Sequence, residues 1–327
     1  MASKASLPSN SNLPGGLPPV KPPSGRFILQ MFLIPGLIVA GLVVVLAFGG
    51  LVWVGSSTPA SFLARLDNPN PDIRWRAAHE LGQVLQRPES LELASDPDFA
   101  LDLAERLHTA LALLEQAEDT TKNELGKVLN EIDRSDLSKD EKAKRQDQAA
   151  LVAWHKLDSD RKFVLFLTSC MGHFNIPIGV HELSAIAMKE KSAEIKGLSM
   201  RRTRAVFALA NLGSNMQKHY FGKDAAADTK VLNSAQKNAI VEKLAKTAAG
   251  TGDRAKMAHY AHDVLLRKAP SNVDVVLAFC AKSDDIYLRE LVAHALNFWD
   301  GDLIEPTLLV LSRDNGHGSR IEVTEID

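Results

Sequence analysis

Two histidine–glutamate pairs are the residues of this chain whose types and spacing come closest to catalytic chemistry. His79-Glu80 and His181-Glu182 both begin as the zinc-binding motif His-Glu-x-x-His does. In that motif two imidazoles one helical turn apart bind the metal, and the glutamate acts as a general base. The second histidine position holds a glutamine after the first pair and an alanine after the second. We therefore predict that neither pair binds a catalytic zinc ion.

The remaining candidates for chemistry are isolated. His259 and His262 share a helical face, but the spacing shows no carboxylate or thiolate ligand beside them, which favours packed or surface histidines. Cys170 and Cys280 each end an apolar run, which predicts buried thiols. The chain has no phosphate-binding loop, dinucleotide fingerprint or nucleophile elbow. We therefore predict a protein that is not an enzyme and has no cofactor, metal or small-molecule substrate.

Composition argues for helices and against a nucleic-acid partner. The 327 residues carry 38 basic and 40 acidic side chains that are interspersed, so there is no global positive charge for a phosphate backbone. The densest basic run, Arg201, Arg202 and Arg204, is too small to change this expectation. Abundant alanine, leucine, lysine and glutamate, with only 3 tyrosines and 4 tryptophans, predict an all-α fold.

An apolar segment near the N-terminus predicts a membrane anchor over residues 26–55. No charged residue occurs from Phe27 to Val54, and about 20 apolar helical residues are enough to cross a bilayer. A cleaved signal peptide is the alternative, although its apolar region is usually about 7–15 residues long. The residues assigned to the anchor are Phe27, Met31, Pro35, Leu42, Phe48 and Trp53.

The flanks of this segment indicate an orientation. Lys4, Lys21 and Arg26 precede it without any acidic residue, and positive-inside reasoning therefore places the N-terminus in the cytoplasm. The rest of the chain would then be extracytoplasmic, in a single-pass membrane protein. Residues 1–25 are rich in serine, asparagine, proline and glycine, which predicts a disordered tail.

A short pattern recurs after the apolar segment. A turn ending at Asp72 leads into 73–81, where an arginine is followed by small and apolar residues at helical spacing. Similar runs begin at Arg202, Arg254 and Arg289, and the last three begin 35 to 52 residues apart. Periods in this range are typical of stacked helical pairs.

These runs resemble the second helix of HEAT repeats, a family of armadillo-type helical repeats. They are also similar to bacterial membrane-anchored HEAT-repeat proteins of unassigned function. The resemblance implies an α-solenoid over residues 56–312, with a charged insertion at about 115–148 and a flexible tail at 313–327. It also implies a structural ladder in which arginines meet aspartates of neighbouring turns, formed by Asp72, Arg74, Arg76, Arg202, Arg204, Arg254 and Arg289.

The insertion and its surroundings predict local structure as well. Leucines on one face of 99–117 indicate an amphipathic helix, and the charged stretch 115–148 indicates a solvated helical hairpin or loop, or else a partner-binding element. The function predicted from all of this is a membrane-tethered, non-catalytic scaffold with one or more protein partners, in contact with the bilayer through residues 27–54. The alternatives are an accessory subunit of a membrane complex and a nucleic-acid-binding or enzymatic helical-repeat protein.

Overall fold

The computed structural model describes residues 59–189, 198–223, 229–268 and 270–313, with residues 33, 36, 37 and 39–41 near the N-terminus. The chain divides into two compact units, Met1–Ser57 and Thr58–Asp327. The described residues of the first unit are helical and exposed. The six residues assigned to the membrane anchor lie outside the described residues, as do the tails predicted at both ends, apart from Arg313. Within the described part, no helix is long and apolar enough to cross a membrane.

All regular elements described in the second unit are helices, which confirms the prediction of an all-α fold. Two 3-10 helices, Pro88–Ser90 and Pro177–Gly179, precede α3 and α7, and a π-helical turn, Met216–Phe221, follows α8. The α-helices are α1 (Pro59–Leu66), α2 (Pro71–Leu85), α3 (Leu91–Ala94), α4 (Pro97–Arg134), α5 (Lys139–His155), α6 (Asp158–Met171), α7 (Val180–Met188), α8 (Leu198–Asn215), α9 (Ser234–Ala248), α10 (Asp253–Leu265), α11 (Val273–Cys280), α12 (Ile286–Leu296) and α13 (Ile304–Arg313).

Local sequence explains where the two principal N-terminal helices begin. Asn70 precedes Pro71, and its side-chain oxygen accepts a hydrogen bond from the backbone N–H of Asp72 at 2.9 Å. Asp96 and Pro97 repeat this arrangement at the start of α4. A polar cap satisfies one of the free N–H groups of the first turn, and proline at the first position needs no hydrogen bond. These pairs fix the starts of α2 and α4.

Helices α2, α6, α8 and α12 form a row in which each packs against the next. Three of the four recurring runs lie in this row, because Arg74 is in α2, Arg202 in α8 and Arg289 in α12. The run that begins at Arg254 lies elsewhere. It forms α10, which packs against α9, α4 and the 3-10 helix Pro177–Gly179. The α9–α10 hairpin is therefore not part of the row, and α8 packs directly against α12.

A second set of helices packs against this row. Helix α4 packs against α6, α7 against α8, and α11 against both α7 and α12, while α13 packs against α11 and α12. The buried residues form one continuous hydrophobic cluster from α1 to α13, including Leu81, Leu107, Leu167, Leu209 and Leu277. Burial of this cluster holds the row together.

The charged stretch 115–148 is part of a helical hairpin. Helix α4 continues from Pro97 to Arg134 and α5 returns from Lys139. The amphipathic helix predicted at 99–117 is therefore longer than expected, because the leucine face is followed by a second apolar stripe that begins at Leu125. The expectation that the charges of this stretch are all solvated is wrong at Glu118, whose side chain is 3% exposed.

Candidate functional site

A groove of about 960 Å³ opens along the row formed by α2, α6 and α8, and we name it the row groove. Residues of α8 that line the groove follow one another at intervals of three or four, so they lie on one face of the helix. Its principal side chains are His79 and Gln83 from α2, Gln86 just after α2, Phe166 from α6, His173 just after α6, and Arg204, Phe207, Asn211 and Asn215 from α8.

Side-chain amides are the characteristic groups of the row groove. Gln83 contacts the Nε2 atom of His79 at 3.1 Å, and Asn215 donates from Nδ2 to the carbonyl oxygen of Gly172 at 3.2 Å. Asn211 makes no hydrogen bond to another described residue. A carboxamide both donates and accepts, as a peptide unit does. Asn211 and the free oxygen of Asn215 are therefore available to a ligand that carries peptide groups.

His173, which lines the groove, has a lowered pKa. Burial lowers its pKa from 6.5 to about 4, and its Nε2 atom lies 2.9 Å from the amide nitrogen of Gln86. An amide nitrogen donates, so the unprotonated Nε2 atom accepts this hydrogen bond. Because this pKa lies below the ordinary range for histidine, the imidazole is uncharged at neutral pH. It can therefore accept the hydrogen bond that positions the Gln86 amide.

The low pKa of His173 predicts acid-labile stability. His173 takes up a proton near pH 6.5 in the unfolded chain and only near pH 4 in the folded chain. Its contribution to the free energy of unfolding is therefore complete above pH 6.5 and is lost as the pH falls from 6.5 to 4. We expect a loss of about 1–2 kcal/mol, reduced from the full value because the side chain is partly exposed. Urea unfolding at pH 7 and about pH 4.5 measures it. In His173→Gln this part of the pH dependence should disappear, and an unchanged dependence would contradict the assignment.

One end of the row groove depends on the π-helical turn. This turn, Met216–Phe221, follows α8 directly and ends at Gly222, whose φ of 72° is readily adopted only by glycine. It brings His219 to the groove, where Nδ1 donates to the carbonyl oxygen of Lys230 at 2.7 Å. Single π-turns inserted in helices are frequent at functional sites. Here the turn connects α8 to the segment that carries Lys230.

The row groove is positively charged, although the chain as a whole has a formal net charge of -2. Arg87, Arg204 and Lys230 line it, and none of the described residues that line it is an aspartate or glutamate. Arg204 has no ion-pair partner among the described residues. Basic side chains on a concave surface, with no acidic residue among the described ones that line it, attract acidic ligands and raise their rate of association.

The arginines assigned to a structural ladder have different surroundings. Arg74 donates from Nη2 to Asp160 in the first turn of α6 at 2.7 Å, with its guanidinium 5.2 Å from the centre of the Phe163 ring. Arg202 donates to the carbonyl oxygen of Lys189 and lies over the ring of Phe279. Arg204, in contrast, lines the row groove. We therefore assign Arg204 to the candidate site.

The other residues of the predicted ladder make local or lateral contacts. Asp72 accepts a hydrogen bond from Ser159 at 2.8 Å, which is the largest cause of the lowered pKa of its carboxyl group. Arg76 lies over the ring of Trp75. Arg254 binds Asp102 at 2.6 Å, and so joins α10 to α4 instead of to the row. Arg289 donates to the carbonyl oxygen of Ser283, in the turn before α12, at 2.7 Å.

The histidine–glutamate pairs have structural partners. Glu80 forms an ion pair with Arg65, while Glu182 is buried and contacts Nδ1 of His108 at 3.2 Å. A carboxylate does lie beside His259 and His262, contrary to the sequence interpretation, because each imidazole contacts a different oxygen of Asp263, at 3.4 and 3.0 Å. Among the described residues, no group of three or more His, Cys, Asp or Glu side chains is arranged to hold a metal ion.

Both cysteines are buried free thiols. Cys170 donates from Sγ to the carbonyl oxygen of Ala78 at 3.2 Å, and Cys280 donates to that of Ala187 at 3.4 Å. Burial raises the pKa of the Cys170 thiol to about 12 and that of the Cys280 thiol to about 11. Because the thiolate is the reactive form, neither side chain is an activated nucleophile at neutral pH.

Comparison with known proteins gives no family for this chain, since no protein-family model and no curated protein matches it. The candidate site therefore rests on its geometry. Sequence reasoning found Arg204 but assigned it to the ladder, and it did not find Asn211, Asn215 or His173. The one available signal was the spacing of Arg204, Phe207, Asn211 and Asn215 on one face of a helix.

Proposed function

We propose that this protein is a non-catalytic scaffold that binds an extended, acidic segment of another protein in the row groove. The observation that supports this most directly is the lining of the groove, which combines side-chain amides with three basic residues and has no acidic residue among those described. The three histidines that line the groove contact side-chain amides or a backbone carbonyl oxygen. The site is therefore better suited to binding than to a reaction.

An extended polypeptide fits the chemistry of this lining. Asn211 and Asn215 are one helical turn apart and each presents a free amide oxygen, so they can bind alternate peptide groups of an extended segment as backbone atoms would. Phe207 is 40% exposed between Arg204 and Asn211 and offers an apolar contact to a side chain. Arg87, Arg204 and Lys230 favour carboxylates at the remaining positions.

The HEAT-like architecture and the membrane anchor are part of the same proposal. The recurring runs at Arg74, Arg202 and Arg289 lie in one row of packed helices, which supports a solenoid built from helical pairs. The uncharged stretch 27–54 supports a single-pass anchor that holds the scaffold at a membrane. Together these features describe a tethered surface that recruits a protein partner.

Charge reversal in the groove tests this function. We expect the double variant Arg204→Glu with Lys230→Glu to reduce capture of the partner at least about tenfold, because attraction becomes repulsion. The matched control is Lys246→Glu with Lys282→Glu, since both lysines are exposed outside the groove and the net charge changes equally. Capture is measured by crosslinking the full chain in its native membrane, followed by purification and mass spectrometry.

Three outcomes would count against the proposal. Equal capture by the groove variant and the control would show that the groove is not the binding surface. Capture that disappears on nuclease treatment would show that the basic groove binds nucleic acid. Capture by the parent chain that is unchanged in high salt would show that acidic groups are not what the groove recognises.

A further inference from the structure

The α4–α5 hairpin carries an apolar groove of about 530 Å³, which we name the hairpin groove. Val128 is 42% exposed and Val152 is 53% exposed, although both side chains are apolar. The apolar lining consists of Leu125, Val128 and Ile132 from α4, with Ala149, Val152 and Ala153 from α5. The facing sides of the two helices therefore leave apolar surface in contact with water.

Helix α5 packs against α4 but is only partly covered by the described residues. None of the residues from Lys139 to His155 is buried, whereas α6 buries six of its fourteen. An amphipathic helix is stabilised chiefly when its apolar face is covered, and an isolated helix of this length is marginal in water. The exposed face of α5 therefore has the character of a contact surface.

The charges at the rim of the hairpin groove have opposite signs on its two sides. Glu124 lies on the α4 side, and Arg145 and Lys156 lie on the α5 side. Among the described residues, Arg145 forms an ion pair with Glu141 at 3.7 Å, and both side chains are more than half exposed. Charges so weakly paired are available to a ligand with complementary charges.

We propose that the hairpin groove is covered by the same hairpin of a second copy of this chain, so that two hairpins form a four-helix bundle. A two-fold axis parallel to the helices places α4 of each copy over α5 of the other. Because the turn at 135–138 joins two antiparallel helices, Glu124 of α4 is level with Ala149 of α5. Ala149 is one helical turn from Arg145. Each Glu124 therefore meets Arg145 of the second copy, and the apolar faces close on each other.

This geometry favours a second copy over an unrelated helix. A helix with only acidic side chains would satisfy Arg145 and Lys156 but would repel Glu124, and a basic helix would do the reverse. In a dimer related by the two-fold axis, the acidic rim of each copy faces the basic rim of the other, so the favourable contact forms twice. Opposite charges at such flanking positions set partner choice in helical bundles.

A charge swap tests the proposed dimer. The full chain in detergent is expected to sediment as a dimer, and Glu124→Lys and Arg145→Glu should each weaken it at least about tenfold, since each places like charges together twice. A mixture of these two variants should recover the dimer, because the heterodimer restores both contacts. The single chain that carries both changes should recover it as well.

The proposed dimer predicts a different result from a monomeric chain for each variant. Both residues are exposed, so the variants should remain folded, with unfolding midpoints that no longer depend on protein concentration as that of the dimeric parent does. Val152→Asp, which charges the apolar face, should also give a monomer. A monomeric parent chain would overturn the proposal. Single variants that remain dimeric, or a mixture that stays monomeric, would overturn it too, because the pairing of Glu124 with Arg145 is what the two-fold geometry requires.

Discussion

Replacement of Glu118 by alanine is expected to lower the free energy of unfolding by about 3–5 kcal/mol. Its carboxylate accepts hydrogen bonds from Nε of Arg161 at 2.9 Å and from Nη2 of Arg201 at 2.8 Å, and its side chain is 3% exposed. Arg201 is also buried. The substitution leaves two guanidinium groups without their shared counter-ion in a region from which water is excluded. Glu118 therefore joins α4 to both α6 and α8.

Urea unfolding of the full chain measures this effect, and Glu141 offers the matched control. Glu141 contacts Arg145 at 3.7 Å one helical turn away, and both side chains are more than half exposed. Exposed pairs of this kind contribute little, so Glu141→Ala should change stability by less than about 0.5 kcal/mol. If Glu118→Ala were as mild as Glu141→Ala, the buried charges would not hold the three helices together.

Gly172→Ala is expected to destabilise the protein by about 3 kcal/mol, at the upper end for overpacked cores. A Cβ atom at Gly172 would lie 2.7 Å from the Cα atom of Ala208 and 2.9 Å from its carbonyl oxygen. These atoms belong to the backbone of α8 and cannot rotate away. The backbone angles of Gly172, φ -70° and ψ -13°, suit any residue, so the effect comes from the close approach of two helices in the row.

Gly126 is the control for this substitution. It lies inside α4, where a Cβ atom would meet nothing within 4 Å. Alanine there reduces the freedom of the unfolded chain without a clash, so Gly126→Ala should stabilise the protein by about 0.5–1 kcal/mol. Opposite signs for the two substitutions in urea unfolding would confirm the contact. Equal effects would show that α6 and α8 are not held so closely.

Much of the helical structure could be predicted because it is encoded locally. The start of α2 is determined by Asn70 and Pro71, and the face of α4 by leucines at helical spacing. The recurring runs at Arg74, Arg202 and Arg289 also placed three helices of the row. Each of these signals lies within one turn or one helix, where sequence distance and spatial distance are nearly the same.

The candidate site could not be predicted because distant segments form it. Gln86 and Asn211 are far apart in sequence, and α6 packs against both α2 and α8 in the row. Glu118 stands in a charged stretch whose composition indicates solvent exposure, and only Arg161 and Arg201 explain its burial. The π-helical turn after α8 has no sequence signal of its own. Tertiary packing determines all three.

Site-specific photocrosslinking in the row groove tests the central claim most directly. A photoreactive amino acid at position 211 lies between Phe207 and Asn215 inside the groove, and one at position 246 lies on an exposed face outside it. In the native membrane, the proposed function predicts a protein adduct at position 211 that maps to an acidic segment of the partner and is absent at position 246. The claim would be contradicted by no adduct at position 211, by an adduct with nucleic acid, or by equal yields at both positions.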